Sequence, residues 1–247
     1  MRVAAIYDIH GNLPALEAVI SELGEQVDHI VVGGDVVPGP MPRETIDCLR
    51  NLEVSAQFIQ GNGEAAVLAD LVGEDIGKIP EQAREAVHWV AHQFRPEDRK
   101  LIESWPKTLQ LRIDGLGDVL FCHGTPRSDT EMFTRLTSED RLAPMFQGIN
   151  ASLVVCGHTH MQFDRMVGST RVVNAGSVGM PFGEPGADWL LLGPDVQLRR
   201  TKYDLDKAAE RVRQTTYPHA EHFAAHNILQ PPTEKQMLEL FSRAELR

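Results

Sequence analysis

The chain has 247 residues, 42% hydrophobic and 24% charged, which is the profile of a globular protein with a sizeable core. Its formal net charge is −11 and no basic run offsets it, which argues against nucleic acid or an anionic membrane as a partner. No apolar stretch approaches the ~20 residues of a membrane span, and three cysteines without C-x-x-C spacing suit a reducing compartment, so the sequence reads as cytoplasmic.

"RVAAIY" (2–7) is a first strand, not a signal peptide, and it ends in the polar loop "DIHGN". "LPALEAVISEL" (13–23) has helical spacing, with Asn12 placed to cap it and Pro14 suited to its first turn. "HIVVGGD" (29–35) is again strand then loop, "PRETIDCLRNL" (42–52) is helix, and "VSAQFIQGNGE" (54–64) is a third strand and loop. Such alternation predicts a parallel, helix-covered sheet whose ligands lie at the carboxyl ends of strands.

The middle changes character. Residues 80–94 and 96–105 predict helices, after which short strands dominate: "TLQLRID", "DVLFCHG", "SLVVCGHTH", "MQFDRMVG", "TRVVNAGS", "WLLLG" and "VQLRRTKYD". Tight turns between them predict mostly antiparallel pairing. Cys122 and Cys156 sit in these apolar runs and read as buried free thiols. The end of the chain predicts two or three helices broken at "YP" and "QPPT". With no repeat or flexible linker, the chain reads as one unit, with a core of about 1–203 and a helical tail of about 204–247.

Five strand-to-loop junctions carry metal-binding side chains: Asp8 and His10, Asp35, Asn62, His123, and His158 with His160. Asp-x-His and His-x-His place alternate side chains on one side of an extended segment, as chelation requires. Imidazoles mixed with carboxylates and an amide oxygen suit Mn, Fe, Zn, Co or Ni rather than an all-oxygen calcium site.

That ordered set resembles the calcineurin-like metallophosphoesterases, whose pattern runs Asp-x-His, Gly-Asp, Gly-Asn-His-Asp/Glu, a lone His-Gly, then Gly-His-x-His. The wording "DIHGNLPALEAV", "CHGTPR" and "VVNAGSVGMPF" is most similar to the small bacterial and archaeal phosphodiesterase group. The resemblance covers about residues 1–200. It implies an α/β fold, a four-layer αββα sandwich of two mixed β-sheets flanked by helices, here with a helical C-terminal extension. It implies two divalent transition-metal ions, manganese the first choice, the first held by Asp8, His10 and His160. Asn62, His123 and His158 would hold the second, with Asp35 bridging both and Asp35, Asn62 and His123 as the catalytic residues. The implied activity is hydrolysis of phosphodiesters or small phosphorylated molecules by a metal-bridging hydroxide.

The sequence departs from the family at Gly61-Asn62-Gly63-Glu64, where a histidine that would protonate the leaving group is replaced by Gly63. Glu64, Arg127 and a metal-bound water are the candidate substitutes, with Asn62, Glu64 and Arg127 the candidate substrate contacts. Rival readings are a phosphoprotein or dinucleotide-polyphosphate phosphatase, and a non-catalytic metal-binding interaction module of the same fold. The expected partner is a small phosphorylated substrate, with no membrane; a homo-oligomer is left open. Elsewhere, His88 and His92, and His219, His222 and His226, have helical spacing but read as surface or packing residues. Asn174 and Ser177 are expected to shape the loop beneath the site.

Overall fold

The computed structural model describes residues 1–77 and 79–245. Its strands form two five-stranded sheets. The first contains β1 (Val3–Ile6), β2 (His29–Val32), β3 (Ala56–Phe58), β9 (Ala187–Leu192) and β10 (Val196–Thr201), in the order β10-β9-β1-β2-β3. β1, β2 and β3 run parallel, with Ala5 opposite Val31 and Val31 opposite Gln57, while β9 and β10 complete the sheet antiparallel. The second sheet contains β4 (Thr108–Ile113), β5 (Gly117–Cys122), β6 (Leu153–Cys156), β7 (Phe163–Val167) and β8 (Thr170–Asn174), in the order β4-β5-β6-β8-β7.

The antiparallel expectation for the middle strands holds only in part. β4–β5, β7–β8 and β9–β10 are antiparallel hairpins, but β5–β6 and β6–β8 are parallel. β8 inserts between β6 and β7, so the sheet is mixed, and the carboxyl ends of β5 and β6 point the same way.

Side-chain alternation along the strands builds the layers. Val3, Ala5, Tyr7, Val31 and Leu190 face Val119, Phe121, Leu153, Val155 and Val173 across the space between the sheets. The Tyr7 hydroxyl donates to the Val155 carbonyl at 3.1 Å, tying one sheet to the other. The opposite face of the first sheet (Ala4, Ile6, Ile30, Val32, Trp189, Leu191) packs on helices α1 (Leu13–Leu23), α2 (Pro42–Arg50) and α4 (Glu81–Gln93). The outer face of the second sheet packs on α6 (Glu139–Phe146) through Leu142 and Phe146. The result is the expected αββα sandwich.

Local chemistry fixes the helix ends. Asn12 caps α1 by accepting the Ala15 N–H, and Pro14 sits in its first turn. Two helices go beyond the sequence reading: α6, and α3 (Asn62–Val72), which begins inside the third predicted loop. α5 (Pro96–Glu103) follows α4 as expected. The tail holds α7 (Leu205–Arg213), then α8 (Ala220–Phe223) running into a π-helical turn (Ala224–Leu229), then α9 (Glu234–Glu245). Ala208, Ala209, Val212, Phe223, Ala224 and Ile228 are buried in the same core as α1, so the tail completes the helical layer.

Candidate metal centre

All five loops converge at the carboxyl ends of β1, β2, β3, β5 and β6. Asp8, His10 and His160 bring one ligand atom each to within 4.8 Å of one another, and Asp35, His123 and His158 do the same. The first is the set that the resemblance implies for one ion; the second joins Asp35 to the His123 and His158 that it implies, with Asn62, for the other. Between the groups, Asp35 Oδ2 stands 3.7 Å from His10 Nε2, and Asp35 Oδ1 stands 3.4 Å from His123 Nε2. Asp35 therefore faces both.

The convergence does not come from alternation along extended chain. Asp8, His10, Asp35, His158 and His160 all have positive φ, between 48° and 67°, and they are the non-glycine residues among those described that do. Left-handed backbone at such residues costs on the order of 1–3 kcal/mol each and persists where the surroundings over-determine it. Here the strand ends curl so that side chains two residues apart turn toward one point. The Gly33-Gly34 pair serves the same end: Gly34 has φ 91°, and a Cβ on it would stand 2.6 Å from the Gly61 amide nitrogen. Only glycine lets the β2 loop lie against the β3 loop there.

Second partners orient each ligand. Nδ1 of His10, His123 and His160 lies 3.2, 3.0 and 2.8 Å from the carbonyls of Pro38, Gly33 and Met180. A proton on Nδ1 in each ring leaves the Nε2 lone pair for a cation. Asp8 Oδ2 accepts the His158 N–H at 2.9 Å, leaving Oδ1 directed inward. Ser177 Oγ donates to the Asp8 carbonyl and accepts the Met180 N–H, while Asn174 donates to the Gly157 carbonyl, so both shape the floor as expected.

The residues fit divalent cations on one observation. Asp8 Oδ1, Asn62 Oδ1, His123 Nε2 and His158 Nε2 are buried with no hydrogen-bond partner, and all belong to the ligand set. A buried unsatisfied polar atom costs about 1–3 kcal/mol. Those of Asp8, His123 and His158 lie within the two donor groups, as in a site whose remaining partners are cations.

Charge follows the same plan. Burial works against ionised Asp35, but His123, His10 and His158 hold its carboxyl well below the usual range. Burial also disfavours a charged His123, yet Asp35 and Asp8 raise it to about 10. Burial, then the charge of His123, pushes His158 down to about 4.

The two remaining sequence-based substrate contacts are engaged elsewhere. Glu64 is fully buried; its Oε2 accepts the N–H groups of Asp35 and Gly61 at 2.8 Å each, and its Oε1 accepts that of Val37 at 3.1 Å. As the third residue of α3 it bends back over the helix start, as a capping glutamate does. It faces backbone and braces the β2 loop against α3. Arg127 makes a bidentate pair with Glu131, which also accepts the Thr125 hydroxyl at 2.5 Å. Gly63 donates its N–H to Asp35 Oδ1 at 2.7 Å, so Asp35 is held by the very turn that lost the histidine.

Sequence reasoning missed the roles of Met180 and Phe182. Phe182 stacks on the His160 ring at 5.2 Å and packs against Leu238 and Phe241 of α9. The run "VGMPF" right after Ser177 is the signal for them. His88 and His92, with Asp70 from α3, form a third, more exposed group of potential ligands. The rings of His222 and His226 meet at a tilt of 53° with centroids 4.7 Å apart, and no potential ligand group among the described residues includes them.

The chain is similar in sequence and in fold to known proteins. The family described as the calcineurin-like phosphoesterase superfamily domain matches residues 1–193. An uncharacterised protein of Methanocaldococcus jannaschii is 26% identical over 237 residues, spanning 87% of this chain and 93% of its own length. The structure of a metallophosphoesterase from Sphaerobacter thermophilus superimposes with a TM-score of 0.71 at 27% identity, covering 92% of this chain and 99% of that one. A hypothetical protein from Pyrococcus horikoshii superimposes with a TM-score of 0.79 at 20% identity, covering 94% and 99%.

Proposed function

Because the chain belongs to the calcineurin-like phosphoesterase superfamily, we propose that it is a dinuclear metal-dependent phosphoesterase acting on phosphodiesters or small phosphorylated molecules. The observation that carries this reading is that Asp8 Oδ1, His123 Nε2 and His158 Nε2, buried and without a hydrogen-bond partner, lie within two groups of donors that Asp35 faces in common. A domain that bound no metal would be under no demand to keep such atoms, or five left-handed ligand residues.

Asp8, His10 and His160 would hold one divalent ion, Asn62, His123 and His158 the other, and Asp35 both. Ions held there supply positive charge for the phosphoryl oxygens and acidify a water for attack on phosphorus. The protein does the rest by position. The carbonyls of Pro38, Gly33 and Met180 fix three imidazoles, and the Gly63 N–H and the Glu64 brace fix Asp35. No group in the Gly61–Glu64 turn is free to protonate a leaving oxygen: Gly63 has no side chain, and both Glu64 oxygens are taken by backbone. Substrates with a good leaving group suit this arrangement best.

The test is elemental analysis of protein reconstituted with first-row divalent ions, with turnover of bis(p-nitrophenyl) phosphate measured on the same samples. Up to two ions per chain and chelator-sensitive turnover are expected. Two bound ions with no turnover of any phosphate ester would favour the binding-module alternative.

A further inference from the structure

A cavity of about 360 Å³ opens beside the metal centre. His10 lines it, and so does Met180, whose carbonyl accepts from the ring of His160. Opposite them stand Ala83 near the start of α4 and Tyr217, Phe223 and Asn227 of the tail. The tail wall lies beyond residue 193, outside the part of the chain that matches the family. The phosphate site and the far wall of this cavity thus come from different parts of the chain.

Its chemistry is distinctive. No Asp, Glu, Lys or Arg lines it, in a chain with 59 such residues. Tyr217 and Phe223 meet edge to face at 6.3 Å, and Trp89 packs edge-on against Tyr217 at 5.3 Å, so the aromatic wall is set before anything binds. The amides of Gln82 and Asn227 and the imidazoles of His219, which is paired with Glu85, and His222 give the wall a few hydrogen-bonding points. A mostly apolar cavity lined by a few polar groups but by no carboxylate, ammonium or guanidinium, next to a charged centre, divides a ligand into two parts. A larger cavity, about 990 Å³, lies between α9 and Arg135 and Arg200, but no metal-centre residue lines it and the Arg135–Glu234 ion pair belongs to its wall.

We propose that the cavity between His10, the start of α4 and the C-terminal tail receives the organic group of the substrate, an uncharged flat group of aryl type, while the metal centre holds its phosphate. This rests on the phosphoesterase reading. The tail is then the part of the molecule that selects substrates.

The experiment is calorimetric titration of the manganese-loaded full chain with inorganic phosphate, methylphosphonate and phenylphosphonate. Phenylphosphonate should bind at least about tenfold more tightly than methylphosphonate, since only its ring has apolar surface to bury in the cavity. Ala83→Trp, which fills the cavity from the α4 side, should abolish that preference and leave methylphosphonate affinity within about twofold. Asn227→Trp fills it from the tail side, should α4 not tolerate the first change. Equal binding of the two phosphonates by the native protein, or a preference that survives both folded variants, overturns the inference and leaves the phosphoesterase reading standing. Failure of all three ligands to bind the loaded protein overturns that reading and the cavity's role with it.

Discussion

A Cβ placed on Gly63 would lie 2.1 Å from the carbonyl oxygen of Val37. The β2 loop occupies the space that any side chain at position 63 would need, and Asp35 Oδ1 would also lie only 2.9 Å from the new carbon. A side chain at position 63 and the β2 loop in this position exclude each other. Restoring the histidine restores the sequence pattern but not the site.

Gly63→His, and equally Gly63→Ala, should destabilise the protein by about 1–3 kcal/mol through overpacking. At ~2–4 °C per kcal/mol for a chain of this size, thermal unfolding resolves the effect. Both variants should also bind metal more weakly, because the clash falls on the loop that carries Asp35. A histidine variant as stable as the native protein would mean that the loop opens freely.

Glu64→Gln tests the brace. The carboxylate accepts three backbone N–H groups on two oxygens, whereas an amide offers one oxygen and sets its NH₂ against a donor. The expected cost is about 1–3 kcal/mol, with metal affinity lower by ~10–100-fold, as for other residues that position ligands. Metal titration of the variant, beside its melting temperature, separates this from a role in turnover alone. A variant with native stability and metal affinity would return Glu64 to the substrate side of the site.

Much of this site is legible before folding, and the misreadings have physical causes. Asp8, His10, Asp35, His123, His158 and His160 come together, because a polar residue at a strand's carboxyl end has little choice of place once the strands pair. Glu64 was misplaced because closeness in sequence to Asn62 says nothing about direction. Only the start of α3 at that point turns the carboxylate back over Gly61. That start was hidden by Gly61 and Gly63, which read as loop, just as Pro144 hid α6. The left-handed backbone at the ligands leaves no mark on a spacing of two, which looks the same as extended chain. The insertion of β8 between β6 and β7 is a long-range pairing that no local pattern encodes.

Metal uptake should release protons. His123 in the metal-free protein is raised from 6.5 to about 10, so it holds its proton at pH 7. That proton stabilises the metal-free fold fully below about 6.5, and the contribution is lost as pH rises through about 10. A cation at Nε2 must displace it, so apparent metal affinity rises with pH across this window. Titration calorimetry in buffers of different ionisation enthalpy at pH 7 should return about one proton or more released per chain. Buffer-independent heats would show His123 neutral before the metal arrives.

The rate itself should depend steeply on the leaving group. A general acid typically contributes about 10²- to 10⁴-fold, and the Gly61–Glu64 turn offers none. Gly63 lacks a side chain, the Glu64 oxygens face Asp35, Val37 and Gly61, and Arg127 is paired with Glu131. A nitrophenolate departs without protonation, whereas an alkoxide does not. For a series of methyl aryl phosphodiesters with aryl groups of matched size, log kcat/KM should therefore fall sharply as leaving-group pKa rises. Dialkyl esters should be turned over far more slowly than the aryl series. Matching ring size keeps the cavity's preference constant, so the slope reports protonation alone. A shallow slope would mean that a proton does reach the leaving oxygen. His222, which lines the cavity beside His10, is then the side chain to replace first, since a donor there would steepen the slope when removed without loss of bound metal.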